Sequence, residues 1–440
     1  MPGSVMTLKH NRAYRFVRAG VTVLAAVVRY LTLKVRRHLP GLRPTERSWD
    51  RAHAKTGRAI HRLATGMGGA FVKLGQVLGA RADVMPPSLI EPLRGLHDRV
   101  PPRPFATLRG HVERELGRPL DEVFAHVDEQ PIAAASLAQV HRARLKSGED
   151  VVIKVQYPEA RKLFPIDMGS LRRAVRAVRW LAGIDLRPLA NELAAQVCLE
   201  LEFDREARSA SRVRASFEGR RDVRIPRVYA ELSTDKLMVS EFVEGKALTG
   251  IPALEADGVE LRTIAVTIAD LYATMIFEHG FFHGDPHPGN ILVAPDRTTI
   301  ILLDFGLAKE LPPGFGDGAA TMIVKGMSGD LPGAIAAARS IGFETDGDPE
   351  AFRDLLRAFM GDNDRVRNAL DALKSASLKG IPSDFAIIGR AFILLNGLSH
   401  RLAPGERLIS SAVMRHLAPR VMGRVQAQAQ AQAQARAQAS

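Results

Sequence analysis

Apolar residues near the start of the chain recur at helical spacing. Neighbours in this set are three or four residues apart: Val17, Val21, Leu24, Val28, Leu31 and Val35. This spacing predicts a helix with one apolar face, and flanking arginines and lysines are typical of a helix that lies in a membrane interface. The longest uncharged run, Ala19–Val28, is shorter than the about 20 apolar residues of a membrane span. A helix packed on the body of the protein is the alternative.

Further along, the pattern alternates between helical and extended segments. Helical periodicity is found in Ser48–Leu78, Leu171–Leu181, Leu189–Ala210 and Val259–His279. Short apolar or β-branched runs predict strands at Val151–Val155, Lys236–Phe242 and Thr299–Leu303. Most of the chain beyond Phe315 is helical in pattern, and residues 425–440 alternate Ala and Gln, which is low-complexity sequence. The sequence therefore predicts an α+β protein.

Charge is concentrated at the N-terminus. The formal net charge of the chain is +13, and residues through Arg62 contain 14 basic and only 2 acidic side chains. Such a basic arm favours an anionic partner, either lipid headgroups or nucleic acid. We expect an anionic membrane surface and no specific nucleic acid. The single cysteine, Cys198, excludes an intrachain disulfide, so the protein needs no oxidising compartment and is expected in the cytoplasm, peripheral to the membrane.

A loop rich in proline and glycine, His283–Asn290, follows a long predicted helix and precedes a predicted strand. It holds Asp285 and Asn290 at a spacing of 5 residues. Phosphoryl transfer to a hydroxyl needs a carboxylate near the nucleophile and an oxygen ligand for Mg²⁺, and kinase catalytic loops supply Asp and Asn at this spacing. A structural loop whose Asp and Asn cap local turns is the alternative.

A second acidic motif, Asp304-Phe305-Gly306, begins 19 residues after Asp285. A carboxylate at a strand end, followed by Phe-Gly, is the arrangement with which kinases chelate Mg²⁺ between phosphates. The tripeptide alone is a weak indication, but its order and spacing after the Asp-x₄-Asn loop make a strong one. Asp285 is therefore the candidate base or water-positioning group, and Asn290 and Asp304 are the candidate ligands of Mg²⁺.

The nucleotide phosphates have a candidate ligand upstream. The segment Val152–Lys154 matches the strand lysine that holds the α- and β-phosphates of ATP in kinases. Its carboxylate partner should lie on a helix, and the acidic segment Glu200–Glu206 supplies the candidates. The short segment Glu241–Val243 is expected to be the hinge. The backbone groups of Glu241 and Val243 would bind adenine there.

A glycine-rich phosphate loop is missing before the lysine strand. Small residues stand in its place at Ala133, Ala134, Ala135 and Ser136. Glycine lets a backbone approach phosphates closely, whereas the Cβ of alanine crowds them. We therefore expect the alanines to change how the phosphates bind.

Six motifs in this order resemble the UbiB/AarF-domain family of atypical protein-kinase-like proteins, over roughly Ser48 to Arg401. They are the KxGQ motif Lys73-Leu74-Gly75-Gln76, the loop Ala133–Ser136, Val152–Lys154, Glu200–Glu206, His283–Asn290 and Asp304–Gly306. The resemblance implies a bilobal protein-kinase-like fold with an added N-terminal helical KxGQ segment that covers the active site. It also implies Mg²⁺-dependent ATP binding and hydrolysis, and a role with isoprenoid or quinone lipids at membranes.

The resemblance also implies pairings between side chains. Glu206 would pair with Lys154, and Lys73 of the regulatory KxGQ motif, which ends at Gln76, would reach Glu200 and Glu202. Two positions depart from the family pattern: an acidic motif that ends in Glu202 where Asp is usual, and Gly284, which stands where alanine is common.

Together these features divide the chain into five segments. They are a basic arm at 1–45, a KxGQ extension at 46–125, an N-lobe at 126–245, a mostly helical C-lobe at 246–424 and a low-complexity tail at 425–440. The expected activity is that of an atypical kinase or ATPase. Two alternatives stay open: a small-molecule phosphotransferase of the aminoglycoside-kinase kind, and a pseudokinase scaffold that binds nucleotide without turnover.

Overall fold

The computed structural model describes residues 11–80, 85–96, 102–182, 187–342 and 383–420. The Ala/Gln tail lies outside the described residues. The chain divides into two compact units, an N-terminal unit (Met1–Ala207 with Val228–Phe242) and a C-terminal unit (Arg208–Arg227 with Val243–Ser440). Residues 208–227, which the sequence assigns to the N-lobe, group with the C-terminal unit because their strand pairs with a strand of that unit.

Helices dominate both units. They are α1 (Arg12–Arg36), α2 (Glu46–Met67), α3 (Ala70–Ala80), α4 (Pro87–Ile90), α5 (Ala106–Leu116), α6 (Leu120–Val123), α7 (Ala160–Ala182), α8 (Arg187–Glu200), α9 (Phe203–Ser216), α10 (Ile251–Ala256), α11 (Leu261–Ala273), α12 (Phe315–Met327), α13 (Leu331–Ser340) and α14 (Ser383–Leu402). Residues 408–420 are also helical. A π-helical turn, Thr274–His279, extends α11.

The strands are short. They are β1 (Phe124–Val127), β2 (Ala133–Ala134), β3 (Ala138–Leu145), β4 (Asp150–Gln156), β5 (Val223–Arg224), β6 (Leu237–Glu241), β7 (Lys246–Ala247), β8 (Phe281–Phe282), β9 (Ile291–Val293), β10 (Ile300–Leu302) and β11 (Lys309–Glu310). In the N-terminal unit they form a sheet in the order β1-β3-β4-β6, with β2 paired to β3. In the C-terminal unit the order is β5-β10-β9-β7, and β11 pairs with β8.

Alternating burial along strand β4 explains why Lys154 is accessible. Val151, Ile153 and Val155 are each 0% exposed, as expected for one buried face of a strand with a period of two. Lys154 therefore lies on the opposite face.

The helix predicted over Ser48–Leu78 is interrupted. Gly68 and Gly69 separate α2 from α3 and adopt positive φ values of 66° and 55°. Residues with a Cβ adopt these values at a cost, whereas glycine does not. The chain therefore turns between α2 and the KxGQ helix α3.

The helix predicted over Leu189–Ala210 is interrupted as well, between α8 and α9. Leu201 and Phe203, which flank the interruption, are 6% and 1% exposed, so both side chains are buried in the core. The Leu201 carbonyl accepts hydrogen bonds from Gln156 at 3.2 Å and from Arg161 at 2.5 Å. These donors satisfy a carbonyl at the helix end that has no intrahelical partner, and the acidic segment is consequently shared by two helices.

Helix α1 combines both alternatives for the basic arm. Four of its side chains are buried against the body, namely Arg15, Ala19, Val27 and Leu33. Others on a different face are 44–60% exposed, namely Phe16, Val17, Val21, Leu24, Val28 and Val35. By length and composition alone, the 25-residue α1 is long and apolar enough to cross a membrane. The sequence-based expectation that this segment is too short for a membrane span counted only the uncharged run before Arg29. That criterion is too strict, because the helix continues to Arg36.

Candidate active site

Lys154 of β4 pairs with Glu206 in the first turn of α9. Its Nζ donates to both carboxylate oxygens, at 2.6 and 2.7 Å. Glu206 is only 4% exposed, and the ring of Phe203 lies 5.0 Å from Nζ. A charged pair in such an apolar setting is screened little by water. The ion pair therefore holds the lysine in one position, although 52 residues separate the partners.

The alanine-rich segment is a tight hairpin. Ala133 and Ala134 form β2 and pair with β3, and the Ala135 amide donates to the Ala138 carbonyl at 2.8 Å. Ser136 is buried at 8% exposure. The amide of Ala135 is thus engaged within the hairpin, whereas glycine-rich loops direct their amides to phosphates.

The predicted hinge lies where the chain passes from one unit to the other. Strand β6 ends at Glu241, the Phe242 amide donates to the Asp150 carbonyl at 3.0 Å, and Val243 is 9% exposed. The division between the units falls between Phe242 and Val243. Adenine binding by this backbone stays a prediction.

The KxGQ lysine contacts one of its two expected partners. Lys73 of α3 forms an ion pair with Glu200 at the end of α8, and the two side chains are 17% and 25% exposed. Glu202 is 51% exposed, and among the described residues its ion pair is with Arg205, at 3.7 Å. Because α8 ends at Glu200, the chain carries Glu202 away from Lys73, and that part of the expectation is corrected.

Gly75 and Gln76 tie α3 to the 3₁₀ turn Glu91–Leu96. The Gln76 Nε2 donates to the Leu96 carbonyl at 2.9 Å. A Cβ added at Gly75 would lie 2.3 Å from Leu96 Cδ1. Glycine therefore allows close packing at this position, and the glutamine holds the packed elements in register.

In the C-terminal unit, sheet pairing brings the two acidic motifs together. The loop His283–Asn290 leads into β9, and the Asp304 motif follows β10. The strands are antiparallel, with Ile291 opposite Leu302, so the start of β9 and the end of β10 share one edge. The Leu303 amide donates to the Asn290 carbonyl at 2.8 Å, which fastens the motifs at that edge.

Asp285 is held from two sides. Asn290 Nδ2 lies 3.3 Å from both the carbonyl and Oδ2 of Asp285. Arg390 of α14 donates to Oδ1 at 3.1 Å. The carboxylate is 24% exposed and Arg390 is 46% exposed, so both remain accessible to a ligand.

Gly284 departs from the family pattern for a local reason. A Cβ at this position would lie 2.1 Å from the Leu307 carbonyl oxygen and 3.1 Å from Ile387 Cγ2. Real Cβ atoms do not approach a backbone oxygen that closely, so the backbone there requires glycine.

Asp304 has a strained backbone. Its φ is 59°, a value that residues other than glycine rarely adopt, and its side chain is exposed. Oδ1 accepts a hydrogen bond from the Gly306 amide at 3.1 Å, and Phe305 is buried. Strain of this kind is concentrated at functional sites, where surrounding contacts maintain it.

His283 supplies those contacts. The imidazole is 0% exposed, and Nε2 lies 2.9 Å from the Leu303 carbonyl and 2.8 Å from the Asp304 carbonyl. Both partners are acceptors, so Nε2 must carry a proton. The Tyr272 hydroxyl lies 2.7 Å from Nδ1 and can donate to it. Burial raises the pKa of Tyr272 well above 10.0, which keeps that hydroxyl protonated.

The pair Asn290 and Asp304 fits the chemistry of Mg²⁺. The described residues contain no cluster of three or more His, Cys, Asp or Glu side chains arranged for a metal ion. Mg²⁺ typically takes one or two carboxylates and completes its shell with water and phosphate oxygens. The Asn290 amide nitrogen faces Asp285, which directs its Oδ1 away from that carboxylate. Asn290 directly precedes β9 and Asp304 closely follows β10, so an amide oxygen and a carboxylate that Mg²⁺ accepts lie at the same edge of the sheet.

Two residues of this site were not predicted from the sequence. Arg390 lies 105 residues beyond Asp285. It is the lone charged residue of the apolar segment 385–395, and that isolation was the available indication. Tyr272 lies on the apolar helix α11, and no feature of the sequence there distinguishes it from a core residue.

The fold and these side chains define an atypical kinase-like domain. Residues 95–337 match the model of the ABC1 atypical kinase-like domain, which is more than half of the chain. The chain belongs to that family, and the family expected from the six motifs is confirmed.

Curated relatives agree with this assignment. The chain is 35% identical over 306 residues to AarF domain-containing protein kinase 1 of Xenopus tropicalis, covering 68% of this chain and 58% of that protein. It is 34% identical over 270 residues to the chloroplastic protein Activity of BC1 Complex Kinase 7 of Arabidopsis thaliana, covering 61% and 39%. The chain thus spans about half the length of the curated relatives it matches.

A solved structure shows the same fold. The Rv3197–erythromycin complex from Mycobacterium tuberculosis matches with a TM-score of 0.53 and 23% identity, covering 82% of this chain and 97% of that chain. The predicted kinase-like α+β fold with a helical N-terminal segment is therefore confirmed.

Proposed function

We propose that this protein is an Mg²⁺-dependent atypical kinase or ATPase that acts at a membrane surface, in isoprenoid-quinone or related lipid metabolism. The observation that carries the nucleotide part is the Lys154–Glu206 ion pair, because a lysine fixed by a buried glutamate is the arrangement with which kinases hold nucleotide phosphates. The lipid part rests on membership of the ABC1 family and on the exposed apolar face of α1.

Each predicted side chain would have a separate task. Lys154 would bind the α- and β-phosphates of ATP, while the Ala133–Ser136 hairpin restricts how closely the backbone approaches them. Asn290 and Asp304 would hold Mg²⁺, which neutralises charge on the phosphates. Asp285 would orient the attacking hydroxyl or water and accept its proton.

The runner-up activities are disfavoured by particular residues. The Lys73–Glu200 pair anchors a helix that a small-molecule phosphotransferase of the aminoglycoside-kinase kind does not need. A pseudokinase scaffold would not require Asp285, Asn290 and Asp304 together. Turnover by the purified full chain separates the pseudokinase from the enzyme.

The test is ATP hydrolysis by the full chain, with and without anionic vesicles, compared with Asp285→Asn. Removal of a general base typically lowers the rate about 10²–10⁴-fold, so we expect a loss of that size with nucleotide binding retained. Glu255→Gln removes an exposed carboxylate of α10 in the same unit and should leave the rate unchanged.

The vesicles test the membrane part. We expect faster turnover in their presence. Deletion of residues through Thr45 also removes Arg15, the buried partner of Asp167, so the deletion is combined with Asp167→Leu. This shortened chain should no longer co-sediment with the vesicles, while ATP binding persists. Binding of the shortened chain to vesicles would refute the assignment of the arm. Equal, negligible rates of the wild type and Asp285→Asn under all conditions would leave only the pseudokinase.

A further inference from the structure

Helices α1 and α2 line an open basic pocket. It has a volume of about 310 Å³ and is lined by Arg29, Thr32, Arg36, Ser48, Arg51 and Lys55, over a floor of Leu33 and Ala52. On each helix the lining positions follow the spacing i, i+3, i+4, i+7. This spacing places them on one face of each helix, so two matched faces form the walls.

The pocket concentrates positive charge. Four of its lining side chains are cationic, and no lining residue is acidic. Arg29 donates to the Thr56 hydroxyl at 2.8 Å, and the Arg51 Nε donates to the Arg47 carbonyl at 3.1 Å, so both are anchored by neutral groups. Like charges around one cavity repel, and an anion with several acceptor oxygens would relieve that repulsion.

The surroundings indicate which anion fits. The exposed apolar residues of α1, among them Val21, Leu24 and Val28, lie about a quarter turn around the helix from Arg29 and Arg36. A helix whose apolar face enters the acyl chains holds its flanking residues at the level of the headgroups. A nucleic acid would leave that apolar face exposed to water, whereas a membrane covers both features at once.

We propose that this pocket binds the phosphate of a lipid headgroup at an anionic membrane surface, with preference for a phosphomonoester. Guanidinium groups match phosphate oxygens with paired donors, and the hydroxyls of Thr32 and Ser48 can supply further donors. A monoester carries more negative charge than a diester and exposes one more oxygen, so it gains most from four cations. The inference rests on the proposed membrane role, and is independent of the nucleotide chemistry.

The test is flotation of the full chain with three kinds of vesicle. They contain phosphatidylcholine alone, phosphatidylcholine with phosphatidic acid, and phosphatidylcholine with phosphatidylglycerol adjusted to the same surface potential. The pocket variant carries Arg36→Gln, Arg51→Gln and Lys55→Gln. Its matched control removes the same charge from exposed arm positions outside the pocket, with Arg12→Gln, Arg37→Gln and Arg43→Gln.

We expect the wild type to bind phosphatidic acid vesicles more tightly than phosphatidylglycerol vesicles. The pocket variant should lose that preference and weaken on phosphatidic acid about ten-fold more than the control, since clustered cations add to general attraction. The variant Arg36→Lys with Arg51→Lys keeps the charge but loses the paired donors of the guanidinium groups. It should therefore bind phosphatidylglycerol vesicles like the wild type and lose part of the preference for phosphatidic acid. Circular dichroism spectra that match the wild type show that the pocket variant folds.

Equal losses by the pocket variant and its control overturn the pocket and leave general electrostatic attraction. Displacement of the protein from vesicles by free glycerol phosphate, at concentrations too low to screen charge, would assign the pocket to a soluble ester and overturn the lipid source. A wild type that binds none of the vesicles overturns the membrane role as well. ATP turnover measured on the same preparation tests the nucleotide chemistry separately.

Discussion

Arg390 donates to Oδ1 of Asp285 at 3.1 Å, from a helix that lies 105 residues further along the chain. The carboxylate also contacts the Asn290 side chain at 3.3 Å, so the arginine fixes the oxygen that the asparagine does not reach. If Asp285 is the base, this accessible guanidinium would also put a cation close to the phosphoryl group that is transferred.

We therefore predict that Arg390→Gln lowers kcat for ATP turnover about 10-fold, because a hydrogen bond to a charged group contributes about 1.5–3 kcal/mol and this one is partly exposed. The KM for Mg²⁺-ATP should change less, since Arg390 does not belong to the candidate nucleotide ligands. Arg390→Lys should recover part of the rate.

Arg401→Gln, on the exposed surface of the same helix, is the control and should behave as the wild type. If Arg390→Gln retains full kcat, the contact is a surface ion pair without a role in positioning Asp285.

Strand and helix periodicity predicted most of the elements that carry this site. The strand with Lys154, the loop with Asp285 and the strand before Asp304 all lie where local patterns place them. Each depends on short-range rules: a period of two in strands, and proline and glycine in loops.

Interruptions and distant contacts could not be predicted in this way. Periodicity continues through Gly68 and through Leu201, and only backbone conformation and buried hydrogen-bond partners end the helices there. Pairings such as that of Arg390 depend on how helices pack, which no local pattern encodes. The Lys154–Glu206 pair could be predicted only from the resemblance to a known family.

The candidate metal ligand Asp304 gives a second prediction. Asp304→Asn should abolish the Mg²⁺-dependent part of the thermal stabilisation by ATP, because a neutral amide binds a dication far more weakly than a carboxylate. For the wild type the total stabilisation by a bound ligand is about 2.7 kcal/mol at a ligand concentration of 100 times Kd. Asparagine tolerates the positive φ of 59° at this position, so the backbone should not be disturbed.

Thermal melts with ATP, with and without Mg²⁺, measure this effect. The fold is intact if the melting temperature without ligand matches that of the wild type. A melting shift with Mg²⁺-ATP that equals the wild-type shift would rule out Asp304 as a metal ligand.

The hairpin gives a third prediction. Ala134 pairs with Gln139 in the β2–β3 hairpin. In the proposed site its Cβ would crowd the phosphates of the nucleotide. Ala134→Gly should therefore tighten ATP relative to ADP. Ala247→Gly, at a half-buried strand position of the C-terminal unit, controls for the general effect of glycine in a strand. Calorimetric affinities that change equally for the two nucleotides would contradict the crowding hypothesis.

A fourth prediction concerns the attachment of α1. Arg15 and Asp167 are 0% and 1% exposed and form two hydrogen bonds, at 2.7 and 2.6 Å, while Arg15 Nη1 also donates to the Met67 carbonyl at 2.9 Å. Removal of one member of a buried pair typically costs 3–5 kcal/mol, because the other charge is left unpaired. Asp167→Asn should therefore lower the free energy of unfolding by about that amount.

The double variant Arg15→Met with Asp167→Leu should lower the free energy of unfolding less than Arg15→Met or Asp167→Leu alone. Denaturant unfolding of these three variants gives the coupling free energy of the pair. The exposed pair Arg94–Glu91, at 3.0 Å, is the control, and its removal should have an effect close to zero. Additive costs for Arg15 and Asp167 would indicate that the two side chains are stabilised separately.

The last prediction concerns Lys73. Its ion pair with Glu200 joins the KxGQ helix α3 to the end of α8, and both side chains are largely removed from water. Lysine on a helix is usually solvated, so a partly buried ammonium requires such a carboxylate. We propose that this pair keeps the KxGQ segment closed as an intramolecular gate, which blocks phosphorylation of proteins and permits slow ATP hydrolysis.

Lys73→Ala should accordingly lower stability and raise self-phosphorylation, because the gate opens while Asp285 and Asp304 remain intact. Glu200→Gln removes the same ion pair from its other end and should have the same effect on phosphorylation. Glu202→Gln is the matched control: that carboxylate is 51% exposed and lies 3.7 Å from Arg205, so its loss should leave the gate closed. Incorporation of labelled phosphate across a range of Mg²⁺-ATP concentrations measures all three variants. If Lys73→Ala shows no gain anywhere in that range, Lys73 does not act as a gate and α3 is a structural cover.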